Sequence, residues 1–249
     1  MTLLAMDVGN TNVTAAVFRG ARLLRRGRAP TFGSLRGLLS RMRVAPGSVE
    51  GVVLSSVVPR ATVSLMRELR ALVRPEPLVV GGNVRAPIKN LYRVPSQVGQ
   101  DRLMNGVGAC FLYRSPAIVV DFGTAVTLDL ISRRCEYLGG LIVPGVGIAL
   151  EALISRAALL PRIDLAPPAE FLGKDTRQSM RAGLFYGYGA LCDGIVKQLK
   201  RRYAPRAKVI ATGGHCRLIA PYCRSVQIVD PDLTLQGLRI TFERAQKSA

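Results

Sequence analysis

"LLAMDVGNTN", residues 3–12, decides how this chain is read. An apolar run of strand length leads into one carboxylate, Asp7, and stops on Gly9, Asn10, Thr11 and Asn12. Asn and Gly favour the left-handed conformations of an ordinary β-turn. The same residues suit a phosphate site, where backbone N–H groups and hydroxyls take the anion while the Asp holds its metal. A single occurrence does not separate these two readings.

The stretch occurs twice. "AIVVDFGTAVTLDLIS" (117–132) aligns without a gap to "LLAMDVGNTNVTAAVF" (3–18), placing Asp7 over Asp121, Gly9 over Gly123 and Asn10 over Thr124. Each copy reads as strand, Gly turn, strand. Two copies 114 residues apart imply a duplicated domain. A third Gly turn closes the second half in "KVIATGG" (208–214). This pattern resembles the actin-like acetate and sugar kinase superfamily. The resemblance implies an α/β fold of two duplicated actin-like (ribonuclease H-like) lobes, with mixed sheets flanked by helices. It also implies an ATP cleft between the lobes, with the late Gly turn near the adenosine. The expected division is 1–115 for the N-terminal lobe and 116–249 for the C-terminal lobe with dimerisation helices. Gly suits such turns because a Cβ would hold the backbone away from the phosphate.

Composition agrees with a folded two-lobe protein. The 249 residues are 49% hydrophobic and 20% charged, enough apolar material for a core and too much for a disordered chain. No apolar run of membrane-spanning length and no export leader is read, which with five scattered cysteines predicts reduced thiols and a cytoplasmic location. The formal charge of +19 keeps polyanion binding in view. The basic residues are nevertheless spread out, and no basic tail, zinc-finger spacing or aromatic RNA-binding motif accompanies them, so nucleic acid is not the expected partner. Lys197, Lys200, Arg201 and Arg202 close a predicted helix, where cations suit the dipole.

Between the anchors the pattern is mixed. "SVEGVVLSSVVP" (48–59) and "PLVVGG" (77–82) read as buried strands around a helix over 61–73. Residues 100–113 read as a helix entering the second lobe, and 175–203 as mainly helical. Alternation of this kind favours open sheets covered by helices.

"YRVPSQVGQDRLMN" (92–105) narrows the chemistry. Asp101 and Arg102 stand side by side at a helix start, with Asn105 following. Taken alone, Asp101 could cap the helix and Arg102 could be a surface cation. In context, the chain resembles the type III pantothenate kinases in DVGNTN (7–12), SSVVP (55–59), GQDRLMN (99–105), DFGTAVT (121–127), YLGGLIVPG (137–145), ALLP (158–161), GKDT (173–176), ATGG (211–214) and LTLQGL (233–238). Each motif is weak, but nine in one order are strong.

That resemblance implies ATP-dependent phosphorylation of pantothenate to 4′-phosphopantothenate, the first step of coenzyme A biosynthesis. Asp101 matches the general base, a role that fits an alcohol needing a carboxylate to accept its proton. Asp7 would hold Mg²⁺, since a hard cation takes one or two carboxylates plus phosphate oxygens. Gly9, Asn10, Thr11, Asn12, Gly123 and Thr124 would cradle the ATP phosphates, and Asp121 would help bind a metal, here the monovalent cation (K⁺ or NH₄⁺) implied by the resemblance. Arg102, with its planar fork, would pair with the pantothenate carboxylate. Tyr92 and Gly99 would line the same pocket. Thr176 would reach it from the second subunit of a homodimer, and Asp175 stands where the family pattern has Asn.

Other features carry less. His215, the one histidine, lacks the companions of a zinc site or a triad. Leu150, Leu153, Ile154, Ala157 and Ala158 have helical spacing and read as packing. The competing reading of the whole chain is a non-catalytic, transcription-associated accessory protein on the same scaffold, motivated by the positive charge.

Overall fold

The computed structural model describes residues 1–114 and 116–248. The expected domain boundary falls on Ser115, outside the described residues. The chain begins with β1 (Thr2–Val8), β2 (Asn12–Arg19), β3 (Arg22–Pro30), α1 (Leu35–Arg41), β4 (Gly51–Ser56), α2 (Pro59–Leu72), β5 (Leu78–Val79), β6 (Lys89–Asn90) and α3 (Gln100–Tyr113). It continues with β7 (Ala117–Phe122), β8 (Ala125–Ile131), β9 (Glu136–Pro144), α4 (Val146–Arg156), α5 (Thr176–Arg202), β10 (Lys208–Thr212), α6 (Cys216–Ile219), β11 (Ile228–Val229) and α7 (Leu233–Ser248).

Two compact units form. The first holds Met1–Leu112, Cys135–Tyr137 and α7; the second holds the remainder of the described chain after Leu112. The C-terminal helix therefore packs with the first unit, although the sequence division placed it in the second lobe. The reason is side-chain fit: α7 lies against β1, β4 and β2, and the Phe242 ring fills the space over Gly51, where a Cβ would come 2.5 Å from its Cζ. Helix α3, which lies within the expected N-terminal lobe, belongs to the first unit as far as Leu112. A Cβ on Gly108 would stand 2.7 Å from the Leu233 carbonyl, so the bare backbone lets α3 and α7 meet closely.

The first sheet runs β3-β2-β1-β4-β5, with β1 antiparallel to β2 and parallel to β4. Central β1 is apolar on both faces because both are covered. Leu4, Met6, Val8, Val52 and Leu54 pack with Leu35, Leu38 and Leu39 of α1 and with Ala61, Leu65 and Leu69 of α2. Pro59 pre-sets the first turn of α2, and its buried residues recur every four positions, the stripe of an amphipathic helix. Strand β3 is an edge. Its exposed Arg22, Arg25, Arg26 and Arg28 keep that edge from pairing with another chain.

In the second unit the strands run β11-β10-β7-β8-β9, with β7 antiparallel to β8 and parallel to β10. Ile118, Val120 and Phe122 share one face with Val126, Leu128 and Leu130, packed by α4, α5 and α6. The first two residues of β9, Glu136 and Tyr137, instead pair with β6 within the first unit.

The duplication is thus one of register. Asp7 faces Thr14 on β2 and Ser55 on β4, while Asp121 faces Thr127 on β8 and Thr212 on β10. The gap-free alignment holds only through the turn. The second hairpin connects with two residues where the first uses three, so Thr127, not Leu128, is the counterpart of Thr14. Of the expected strand over 77–82, Leu78 and Val79 form β5 and Val80 makes an isolated bridge to Val84.

The cysteine expectation is overturned at one pair. Cys110 on α3 and Cys135 before β9 form a disulfide with Cα atoms 5.5 Å apart. Cys192, Cys216 and Cys223 are free and buried. The apolar stripe after residue 150 is also only part of the core: Leu150 is buried, Leu153 is exposed, and α4 ends at Arg156 before Ala157 and Ala158.

Candidate active site

Strand β1 delivers Asp7 to the sheet end, where the Ser55 hydroxyl donates to its Oδ1 at 2.7 Å. The following turn is braced by three hydrogen bonds, one internal and two from Thr31. Gly9 N–H donates to the Asn12 carbonyl at 3.0 Å, Thr31 Oγ1 donates to the Gly9 carbonyl at 2.7 Å, and Thr31 N–H donates to the Thr11 carbonyl at 3.2 Å. Gly9 N–H is therefore committed inside the turn. Asn10 and Thr11 stand exposed at its tip, and Asn12 opens β2.

The second turn is built differently. Gly123 N–H donates to the Ala125 carbonyl at 3.1 Å. Gly213 has φ +91°, and a Cβ there would overlap Asp121 Oδ1 and come within 2.7 Å of the Phe122 carbonyl carbon. A Cβ on Gly145 would overlap the Thr124 carbonyl. His215 N–H, just after the late Gly turn, donates to the Phe122 carbonyl at 3.0 Å. Two segments, 213–215 and the turn at Gly145, thus converge on residues 121–124 at distances that glycine allows. Thr212, directly opposite Asp121, is fully buried, and its Oγ1 has no hydrogen-bond partner among the described residues. Nearby, the fully buried Asp129 accepts from Thr127 Oγ1 at 3.0 Å.

Helix α3 carries Asp101 and Arg102, and Tyr92 and Gly99 lie in the segment before it. Asp101 lies in its first turn, where an acid suits the helix dipole. Its Oδ1 accepts the Arg102 N–H at 2.8 Å. A Cβ on Gly99 would overlap that same Oδ1, so Gly99 clears the space in which the Asp101 carboxylate sits. Arg102 is no surface cation. It is 7% exposed, with its guanidinium carbon 5.7 Å from the centre of the Tyr137 ring. Tyr137 in turn meets Tyr92 with ring centres 6.3 Å apart. A buried guanidinium needs compensation, and the aromatic face supplies part of it. Asn105 is fully buried and accepts the Thr234 hydroxyl at 2.6 Å, tying α3 to α7.

Thr176 opens α5 in the second unit and is exposed. Asp175 is the N-cap, its Oδ1 accepting Gln178 N–H at 2.8 Å. The departure from Asn thus falls on a position where either residue caps well. Ser55, Tyr137, Gly145, Thr212 and Gly213 lie within motifs legible in the sequence, yet nothing local assigned them a task. Among the described residues no group of three or more His, Cys, Asp or Glu side chains gathers to hold a metal ion.

A duplicated hairpin carrying an acid at its first strand's end, extended by a parallel strand, defines an actin-like fold of the ATPase and sugar kinase class. The activator of the 2-hydroxyisocaproyl-CoA dehydratase from Clostridium difficile superposes with a TM-score of 0.61 at 13% identity, covering 100% of this chain and 97% of that one. MreB 5 of Spiroplasma citri gives a TM-score of 0.56 at 10% identity, covering 99% and 97%. Identities this low speak to the fold alone. Within the class, the chain belongs to the type III pantothenate kinase family, whose sequence profile matches residues 3–198. The type III pantothenate kinase of Moorella thermoacetica is 43% identical over 251 residues, 97% of this chain and 99% of that protein. That of Bacillus cytotoxicus is 41% identical, covering 97% and 96%.

Proposed function

We propose that this chain transfers the γ-phosphoryl group of ATP to the primary hydroxyl of pantothenate, giving 4′-phosphopantothenate and ADP. The observation that carries the reading is the start of α3, in a chain of this family. There an acid given room by Gly99 stands next to a buried Arg under Tyr137. The alcohol oxygen bonds to the γ-phosphorus as its bond to the ADP oxygen breaks, and the Asp101 carboxylate accepts the alcohol proton. Arg102 pairs with the pantothenate carboxylate, and Tyr92 lines the pocket. Gly99 serves by leaving Asp101 its place.

Residues 9–12 and 123–124 take the phosphates. With Gly9 N–H committed to its turn, Asn10, Thr11 and Asn12 carry that role in the first hairpin. Mg²⁺ would be held by Asp7 together with nucleotide oxygens, neutralising phosphate charge, and the hydroxyl-braced carboxylate is a hard oxygen donor of the required kind. A monovalent cation would be held by Asp121 with the Thr212 hydroxyl, a buried oxygen that lacks another partner among the described residues.

A homodimer completes the pocket through Thr176. The support is a set of exposed apolar side chains on the second unit: Ile142, Phe171 and Leu172 are 61%, 72% and 73% exposed, and Leu141, Ile148 and Leu153 are also exposed. No helix among the described residues is long and apolar enough to cross a membrane.

The test is ADP release with pantothenate, ATP, Mg²⁺ and K⁺ or NH₄⁺. Wild-type turnover that disappears in Asp101→Asn while nucleotide binding persists supports the kinase. Absence of wild-type turnover favours the accessory-protein reading. For the shared pocket, Asp101→Asn and Thr176→Ala chains are mixed after separate purification and exchanged. Each is inactive alone, and a shared pocket restores about a quarter of wild-type sites; no recovery refutes it.

A further inference from the structure

Asp7 and Asp121 hold equivalent places in the two hairpins, but the hydroxyls opposite them are used differently. Ser55, fully buried on β4, faces Asp7 in parallel register and donates to its Oδ1 at 2.7 Å. Thr212, fully buried on β10, faces Asp121 in the same parallel register, and its Oγ1 makes no hydrogen bond among the described residues. The second unit shows that a sheet of this design closes without a bond from the facing hydroxyl to the acid. The bond in the first unit is therefore not a requirement of the architecture.

Its neighbour has a structural task that Ser55 lacks. Ser56 Oγ accepts Val58 N–H at 3.0 Å and the Thr62 hydroxyl at 2.6 Å, closing the first turn of α2. Among the described residues, the Ser55 hydroxyl bonds to the acid alone.

We propose that Ser55 is a positioning residue for Asp7, fixing the rotation of its carboxylate so that the acid meets the metal–nucleotide complex in one orientation. The terminal torsion of Asp is broad and close to two-fold, so an unbraced carboxylate samples many orientations. A short hydroxyl–carboxylate bond selects one and keeps it without rearrangement when ligand arrives. This inference rests on the reading of Asp7 as the magnesium-holding acid.

The experiment measures ADP binding by calorimetry with and without Mg²⁺, alongside pantothenate binding and the thermal midpoint. In wild type, Mg²⁺ tightens ADP binding. Ser55→Ala weakens Mg²⁺–ADP binding about tenfold, as expected for loss of a hydrogen bond to a charged group, and leaves metal-free ADP and pantothenate binding unchanged. Ser55→Thr, which keeps the hydroxyl, recovers most of the loss. Ser56→Ala lowers the thermal midpoint without the metal-dependent change. If Ser55→Ala binds Mg²⁺–ADP as wild type does, or loses equal affinity with and without metal, the role of Ser55 is overturned. If wild-type ADP binding ignores Mg²⁺, the reading of Asp7 beneath it fails instead.

Discussion

Gly99→Ala tests the geometry of the proposed base without touching the base. The added Cβ would overlap Asp101 Oδ1, while its next contact, Val57 Cγ1 at 3.4 Å, is ordinary van der Waals contact. The atom in the way ends a side chain, so the cheap relief is rotation of Asp101. Rotation gives up the 2.8 Å bond from Arg102 N–H, about 1 kcal/mol, and an off-rotamer side chain costs about 1 kcal/mol more. Alanine returns about 0.4–1 kcal/mol by restricting the unfolded chain. Net destabilisation is therefore about 1 kcal/mol, and the protein stays folded. Catalysis suffers more, because general base catalysis contributes about 10²–10⁴ in rate and a misplacement of about 1 Å costs about 10². The expected outcome is kcat about 100-fold lower, with KM for ATP unchanged. Because both changes act through one carboxylate, Gly99→Ala combined with Asp101→Asn is no slower than Asp101→Asn alone. Steady-state kinetics of the four proteins decide it. Multiplicative losses, or a defect confined to KM for pantothenate, would show that Gly99 lines the pocket instead of clearing space for the base.

Three further outcomes follow from other parts of the structure. Thiol titration of the unfolded protein without reductant finds three free cysteines, and Cys110→Ser with Cys135→Ser lowers stability by about 3 kcal/mol for a loop of this length; five free thiols before reduction would refute the pairing. Asp175→Ala removes the cap of α5 and costs about 1 kcal/mol in chemical denaturation, whereas Asp175→Asn costs a few tenths; equal losses would mean that charge, not capping, matters there. Thr212→Val replaces a buried, unbonded hydroxyl with a methyl, so the ligand-free protein gains up to about 1 kcal/mol in thermal unfolding. The same variant needs more K⁺ or NH₄⁺ for half-maximal activity, and an unchanged requirement would remove Thr212 from the cation site.

How far the site was legible follows from how far each signal reaches along the chain. That Asp101 and Arg102 stand at a helix start was legible because they are adjacent in sequence, and α3 spans the expected 100–113. The burial of Arg102 was not, because Tyr137 reaches it from 35 positions away. The Asp7 turn announced itself twice, yet the gap-free alignment misplaced the second strand by one position. A one-residue difference in turn length leaves apolar periodicity nearly intact while changing which residue faces which.

By itself the sequence determined the α/β class, the duplication and the acids at the strand ends, all written in short apolar runs and turns. Tertiary structure alone decided that Ser55, 48 residues from Asp7, braces its carboxylate, that Thr212 does not do the same for Asp121, and that α7 returns to the first unit. The physical reason is that strand pairing and side-chain fit are set between segments far apart in the chain. Local periodicity fixes which face of a strand or helix is apolar, and leaves open what that face will meet.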